Sequence, residues 1–320
     1  MSTPLPEYDI QKIFVEASTR CNYRCRFCSN MDERVTRADM SPEMFTAVIE
    51  NIAAARALPP VLALSQKGEP FMNRRLHELV ALAKDRFGFR YVYLSTNGSL
   101  CTPDRARPLV EAGIDSIKFS INALEREPYA EIHGVDGLDK VLDNMRRLLE
   151  LKMETGGRLK VFASTVSTKS QEEVEAAVRA AVGEQAAHLD GVWRYPEYYT
   201  PRNAGRELVL PPDHETCPMP FLNICVDANG ELTACCRDYF GQLRYGNLLE
   251  VPFAEAWHDR RFEKLRKMLA ERTLPKAHMC YECLAVRHAR KKEPFVWDVA
   301  KRPGPEQRST LDIPAPDAKD

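Results

Sequence analysis

What this sequence lacks narrows the field first. No apolar run approaches the roughly 18 to 20 residues that span a bilayer, and the start MSTPLPEYDIQK has neither the basic n-region nor the apolar h-region of a secretory signal. A cytoplasmic protein with no membrane partner is expected. An excess of one charge is also missing: 45 Lys and Arg stand against 46 Asp and Glu, a formal net charge of -1. Without a basic surplus to neutralise phosphates, nucleic acid is not an expected partner. The seven histidines show no metal-ligand spacing, and none is nominated. No internal repeat is visible.

What the chain does have is length, core-forming residues and cysteine. Its 320 residues are about twice the ~150 of one domain, and a 44% hydrophobic content can fill a sizeable core. Ten cysteines in a reducing compartment point to metal binding or chemistry rather than to disulfides. They form two groups. Cys21, Cys25 and Cys28 lie together, and six more lie between Cys217 and Cys283, with only Cys101 in between.

Hydrophobic patterning predicts strands over 12–17, 61–65, 91–95, 116–121, 159–166 and 189–195, separated by helices over 42–55, 74–86, 104–112, 138–154 and 171–182. Ser41 suits the N-cap of the first helix, with Glu43 in its first turn. Strand and helix alternating in ~30-residue units argue for an α/β fold of parallel strands joined by right-handed crossovers, hence a curved sheet or partial barrel. In such folds the chemistry gathers at the carboxyl ends of the strands. Residues 1–207 are expected to form this barrel with its lead and a bridge, 208–286 a smaller module, and 287–320 an extended or mobile tail.

The first cysteine group reads Cys21-Asn-Tyr-Arg-Cys25-Arg-Phe-Cys28, directly after the first strand. Structural zinc sites and most iron–sulfur clusters take four protein ligands. Three thiolates on a four-iron cluster leave one iron open, which suits a reactive site, whereas a zinc site would borrow a fourth ligand from elsewhere. The segment resembles the radical S-adenosylmethionine (SAM) enzymes, whose signature is C-x3-C-x2-C after the first strand of a partial (β/α)6 TIM-like barrel. The resemblance implies that the open iron binds the amino and carboxylate groups of SAM, with the Phe27 backbone near its adenine. It also implies that Gly68-Glu69-Pro70, after the second strand, occupies the place of a GGE-like motif that receives the methionine ammonium. Ser95 and Asn97 at the end of the third strand, and Ser120 and Asn122 at the end of the fourth, offer hydroxyls and amides to a ribose or carboxylate. The same residue types equally serve as strand-end turn residues.

The second group opens with Cys217-Pro-Met-Pro and closes with Cys280-Tyr-Glu-Cys283. Asn229-Gly230 between apolar runs signals a hairpin, and 253–268 reads as one helix. If the hairpin loop holds two residues, Cys235 faces Ile224 and Cys225 faces Ala234, so that Cys235 and Cys236 point to opposite sides. This region resembles the shortened SPASM, or twitch, domain that carries one auxiliary [4Fe–4S] cluster. By that resemblance Cys217, Cys235, Cys280 and Cys283 are its ligands. A zinc knuckle is the alternative for the same four residues. Cys101, Cys225 and Cys236 can equally be small buried residues. Between the modules Arg194, Glu197, Tyr198, Tyr199 and Arg202 lie where a polar substrate could bridge the two sites, or where a linker packs.

The cofactors so implied are two [4Fe–4S] clusters and SAM, and the partners are a small polar substrate and an external electron donor such as flavodoxin or ferredoxin. A radical generator beside a saturated cluster suits removal of a hydrogen atom followed by an electron. The first expectation is therefore an oxidoreductase that dehydrogenates a secondary alcohol of an aminocyclitol or sugar-like molecule, as do single-cluster twitch enzymes of antibiotic biosynthesis. Three alternatives stand beside it: an epimerase with Cys236 as hydrogen donor, a peptide-modifying SPASM maturase, and a non-enzymatic zinc-binding module. About a dozen residues precede the first strand, too few for a leader-peptide domain.

Overall fold

The computed structural model describes residues 10–26, 28, 30, 36–167, 169–195, 209–238 and 241–291. Its centre is one nine-stranded sheet in the order β6-β5-β4-β3-β2-β1-β7-β8-β9. The first six strands are β1 (Lys12–Val15), β2 (Val61–Ala63), β3 (Tyr91–Thr96), β4 (Ser116–Ser120), β5 (Lys160–Val166) and β6 (Gly191–Tyr195), all parallel. The helices α1 (Pro42–Ala54), α2 (Leu76–Ala81), α3 (Pro103–Glu111), α5 (Leu138–Glu154) and α6 (Gln171–Val182) are the crossovers. The expected partial α/β barrel is thus the observed architecture, with strand and helix ends, α2 apart, within two residues of expectation.

Local chemistry explains the helix starts. The Ser41 side chain accepts from Met44 N, and Ser170 and Glu173 form a reciprocal capping box at α6. Two elements differ from expectation. The helix expected over 74–86 is α-helical only from Leu76 to Ala81 and continues as a π-helical turn through Arg86. A further helix, α4 (Arg126–His133), stands between β4 and α5, where none was expected; Gly134 ends it at φ 68.

Beyond the barrel come α7 (Met219–Leu222), β7 (Asn223–Val226), β8 (Glu231–Thr233), β9 (Arg244–Asn247), α8 (Phe253–Trp257), α9 (Arg260–Ala270) and α10 (Met279–Lys291). The single helix expected over 253–268 is broken at Asp259, whose carboxylate accepts from Arg261 N at 2.7 Å and so starts α9. Helix α10 runs to Lys291, past the 286 boundary expected for this module.

The hairpin register also differs from expectation. Cys225 pairs with Thr233 and Val226 with Leu232, because the loop holds three residues, Ala228 to Gly230. The Asp227 carboxylate accepts from Asn229 N and Glu231 N, and Gly230 takes φ 88. A left-handed glycine closing a three-residue loop is a favoured hairpin. Strand pairing stops at Thr233, so Cys235 and Cys236 lie in the turn beyond it and strand alternation does not orient them.

Strand β7 pairs in parallel with β1, Lys12 opposite Asn223 through Val15 opposite Val226. The seam is reinforced by Gln66, whose amide donates to Phe14 O and Val226 O at 3.0 and 2.9 Å. On the other side Asn51 of α1 donates to Leu248 O and Val251 O and accepts from Phe253 N. The main core, including Ile13, Leu62, Leu94 and Ile117, packs between sheet and helices. Phe14, Ala63, Tyr93 and Cys225 form a separate cluster on the opposite, inner face. None of the described helices is long and apolar enough to cross a membrane.

Candidate active site

The loop after β1 carries Cys21, Cys25 and Cys28, all partly buried. Helix α4 shapes it: Arg24 N donates to His133 O at 3.1 Å and Arg26 N to Ile132 O at 2.9 Å. His133 is itself buried, with Nδ1 3.1 Å from Cys25 Sγ and Nε2 2.8 Å from Ile121 O. Tyr129 lies against the His133 ring at 4.3 Å, and its hydroxyl donates to the Tyr23 hydroxyl at 3.2 Å. Phe27 lies outside the described residues.

Burial pushes the Cys21 thiol up to about 11 and the Cys25 thiol higher still, and charge on Cys28 opposes ionisation of both. Three partly buried thiols, two of them held protonated by burial, would fit a cationic iron centre, whose charge would favour their thiolate forms. Among the described residues, no three His, Cys, Asp or Glu side chains are drawn together tightly enough to hold a single metal ion.

The Gly68-Glu69-Pro70 turn lies against this loop, Glu69 N donating to Arg20 O at 2.8 Å. The Glu69 carboxylate is fully engaged within the fold. It accepts from Thr96 Oγ1 at 2.7 Å, Asn97 N at 2.7 Å and Phe71 N at 3.1 Å, and Pro70 opens the short 3-10 turn that it caps. Burial raises its pKa, and these three donors oppose the rise. The carboxylate thus ties the ends of β2 and β3 together.

Asn97 reaches the cysteine loop: its amide donates to Asn22 Oδ1 at 3.0 Å and lies 3.9 Å from Cys21 Sγ. Asn122 holds a left-handed φ of 61 and sits 3.5 Å from His133 Nε2, on the Cys25 side of the same loop. Ser95 and Ser120 end their strands partly exposed, and Ser95 N donates to Ser65 Oγ.

Side-chain alternation places Lys118, Trp193 and Tyr195 on one sheet face, and the contacts agree, the Lys118 ammonium lying 6.0 Å from the Trp193 ring and 5.3 Å from the Tyr195 ring. Arg194 therefore turns the other way. Its guanidinium donates to Ser167 O beside the start of α6, so the fold places it on the helix side, and of the two roles expected for it, bridging a substrate or packing, this contact is packing. Glu197, Tyr198, Tyr199 and Arg202 lie outside the described residues. Tyr93, Lys118, Trp193, Tyr195 and His133 were not singled out from sequence. A strand covered on both faces gives no periodic mark of its inner side.

The second cysteine group converges from three elements. Cys217 precedes α7, Cys235 and Cys236 follow β8, and Cys280 and Cys283 are one turn apart at the start of α10. Cys235 and Cys280 each sense the charge of Cys217, and Cys280 also that of Cys283. Cys236 lies beside Cys225, its backbone N–H donating to the Cys225 sulfur. Burial pushes all these shifted thiols upward.

The chain is similar to known proteins in sequence and in fold. The Radical SAM superfamily profile covers residues 15–181, and that of an iron-sulfur cluster-binding domain, SPASM, covers 217–284. Probable GTP 3',8-cyclases of Sulfurisphaera tokodaii and Thermococcus kodakarensis are each 30% identical, over 141 and 145 residues. Those matches cover 44% of this chain and 44% of each relative's length. Among solved structures, BtrN in complex with AdoMet and 2-DOIA superposes with TM-score 0.53 at 18% identity, over 82% of this chain and 87% of that one. Streptococcus suis SuiB bound to S-adenosylmethionine gives 0.59 at 14%, over 82% and 68%. Native anSMEcpe with bound AdoMet gives 0.57 at 15%, over 81% and 83%. These structural likenesses establish the fold. S-adenosylmethionine and [4Fe–4S] clusters are the cofactors of this pair of domains. With more than half of its length inside the family profile, the chain belongs to the radical SAM superfamily.

Proposed function

We propose that the protein dehydrogenates a secondary alcohol of an aminocyclitol or sugar-like molecule to a ketone. The observation that carries this reading is the β1–β7 seam, which brings a second cysteine set to the barrel that bears the first. Cys21, Cys25 and Cys28 hold the SAM-binding cluster, and Cys217, Cys235, Cys280 and Cys283 hold the auxiliary cluster. When bound, the first cluster and SAM supply a 5'-deoxyadenosyl radical, and the second supplies a sink for one electron.

The chain's own residues bind and orient. Glu69 and Gly68 fix the turn beside the cysteine loop, and Asn97 and Asn122 flank that loop from β3 and β4. On the inner face Trp193 offers an apolar surface to the C–H side of a ring, while Lys118, Ser95 and Ser120 offer polar contacts to its hydroxyls. An external one-electron donor, flavodoxin or ferredoxin in kind, reduces the first site.

The fold shared with BtrN, whose solved complex holds AdoMet and 2-DOIA, supports the substrate class. A second reading is epimerisation, favoured by the partly accessible Cys236 beside Cys225 and outside the proposed ligand set. The likeness to probable GTP 3',8-cyclases covers under half of each chain, so it does not carry their substrate over to this one. Anaerobic incubation with SAM, reductant and a panel of aminocyclitols, sugars and GTP tests the reading. A ketone formed with one 5'-deoxyadenosine per turnover supports it; an inverted alcohol or a cyclised nucleotide overturns it.

A further inference from the structure

One buried ion pair stands apart from every role assigned above. Glu16 follows β1 and is fully enclosed. Its Oε1 accepts from Lys67 N and Gly68 N, both at 2.9 Å, and its Oε2 makes no hydrogen bond and lies 3.6 Å from Lys67 Nζ. The Lys67 ammonium is almost as enclosed and also reaches the Asp238 carbonyl at 3.5 Å. Lys67 precedes the Gly68-Glu69-Pro70 turn beside the first cysteine loop, and Asp238 lies three residues after Cys235. The pair therefore spans the ground between the two cysteine sets.

Such a pair is a poor device for stability alone. Desolvating two charges costs several kcal/mol per ion, so a well-packed apolar pair often does as well. The thiols next to it suggest another use. Charge on Glu16 opposes ionisation of Cys236, and charge on Lys67 favours that of Cys225. The groups facing Glu16 are Lys67 from the end of β2, Asp227 after β7 and Cys236 after β8, and Arg244 lies 3.7 Å from Asp227. Burial holds the Glu16 carboxyl up at about 7, against the pull of Lys67 and the two amides.

We propose that Glu16 and Lys67 couple a proton to the electron on the auxiliary cluster: as that cluster is reduced, Glu16 takes up one proton, and Lys67, freed of its counter-charge, balances the added negative charge. The inference rests on the ligand set of the proposed function. One electron enters from the reductant, dithionite in the experiment and the substrate radical in turnover. One proton enters from water to form an O–H bond on Glu16, so the buried region keeps its net charge. Placing an electron nearby favours the protonated carboxyl further, which makes the uptake spontaneous near neutral pH.

The test is the auxiliary cluster's midpoint potential, followed by EPR from pH 6 to 9 in protein carrying Cys21→Ala, Cys25→Ala and Cys28→Ala, which isolates the second site. The potential should be flat below about 7 and then fall, approaching about 59 mV per pH unit, the one-electron equivalent of a tenfold change. Glu16→Gln should flatten the profile. Lys67→Met should make the potential more negative and move the bend to higher pH, since the ammonium lowers the Glu16 pKa, and Lys67→Arg should restore both. A flat profile in the parent protein overturns the proposal whatever the variants do. So does a slope that survives Glu16→Gln, or an unmoved bend in Lys67→Met. Absence of iron from the second site would instead overturn the ligand assignment.

Discussion

Gly68 rests against the backbone of Ser18 so closely that a Cβ on it would stand 2.7 Å from the Arg20 carbonyl oxygen and nearer still to that of Ser18. The atoms in the way are backbone, so no rotamer change relieves the clash. Gly68→Ala should therefore push the Glu69 turn off the cysteine loop and cost about 1–3 kcal/mol, as overpacking does. The lowered melting temperature should come with at least a tenfold loss of SAM cleavage, read by 5'-deoxyadenosine formation.

Anaerobic reconstitution should load about eight irons and eight sulfides per chain, two cubanes by thiolate count. Replacing Cys21, Cys25 and Cys28 together should halve both and abolish SAM cleavage. Full iron with continued cleavage would sink the assignment of the radical site. Zinc without labile sulfide would return the protein to the metal-knuckle reading.

Cys280→Ala removes one of the four proposed auxiliary ligands and leaves the first loop untouched. 5'-Deoxyadenosine should still form to some degree, while ketone disappears because the substrate radical has lost its electron acceptor. Unchanged ketone yield would remove that role, and with it the preference for dehydrogenation.

Cys236 separates the two leading reactions. In a dehydrogenase its thiol is idle, so Cys236→Ala should still make ketone, and turnover in deuterated water should place no deuterium on the reacting carbon. Deuterium at an inverted carbon, lost together with activity in the variant, would make the enzyme an epimerase.

Legibility in the sequence followed the strength of the local signal. Helices α5 and α6 were legible to the residue, because long amphipathic stretches end in clear chemistry such as the Ser170–Glu173 box. Helix α4 was hidden: REPYAEIH is short, polar and contains a proline, so its helicity comes from packing on Tyr23 and the cysteine loop. The hairpin failed by one residue because Asn-Gly signals a turn without fixing loop length, and here the Asp227 side chain draws Ala228 into the loop. The cysteine loop stood out because three thiols in eight residues have few other uses. Lys118, Trp193 and Tyr195 did not, since nothing along a buried strand marks which face looks inward.

The β7 strand has a consequence for how the molecule is made. Strand β1 precedes β7 in the chain and keeps one side unpaired until β7 arrives, Lys12 waiting for Asn223. An unpaired parallel edge beside a reactive cysteine loop invites association with other chains, and closing so long a loop is entropically slow. The same topology has a second effect: the strand that leads into the first cysteine loop is completed only by the segment that carries the second cysteine group.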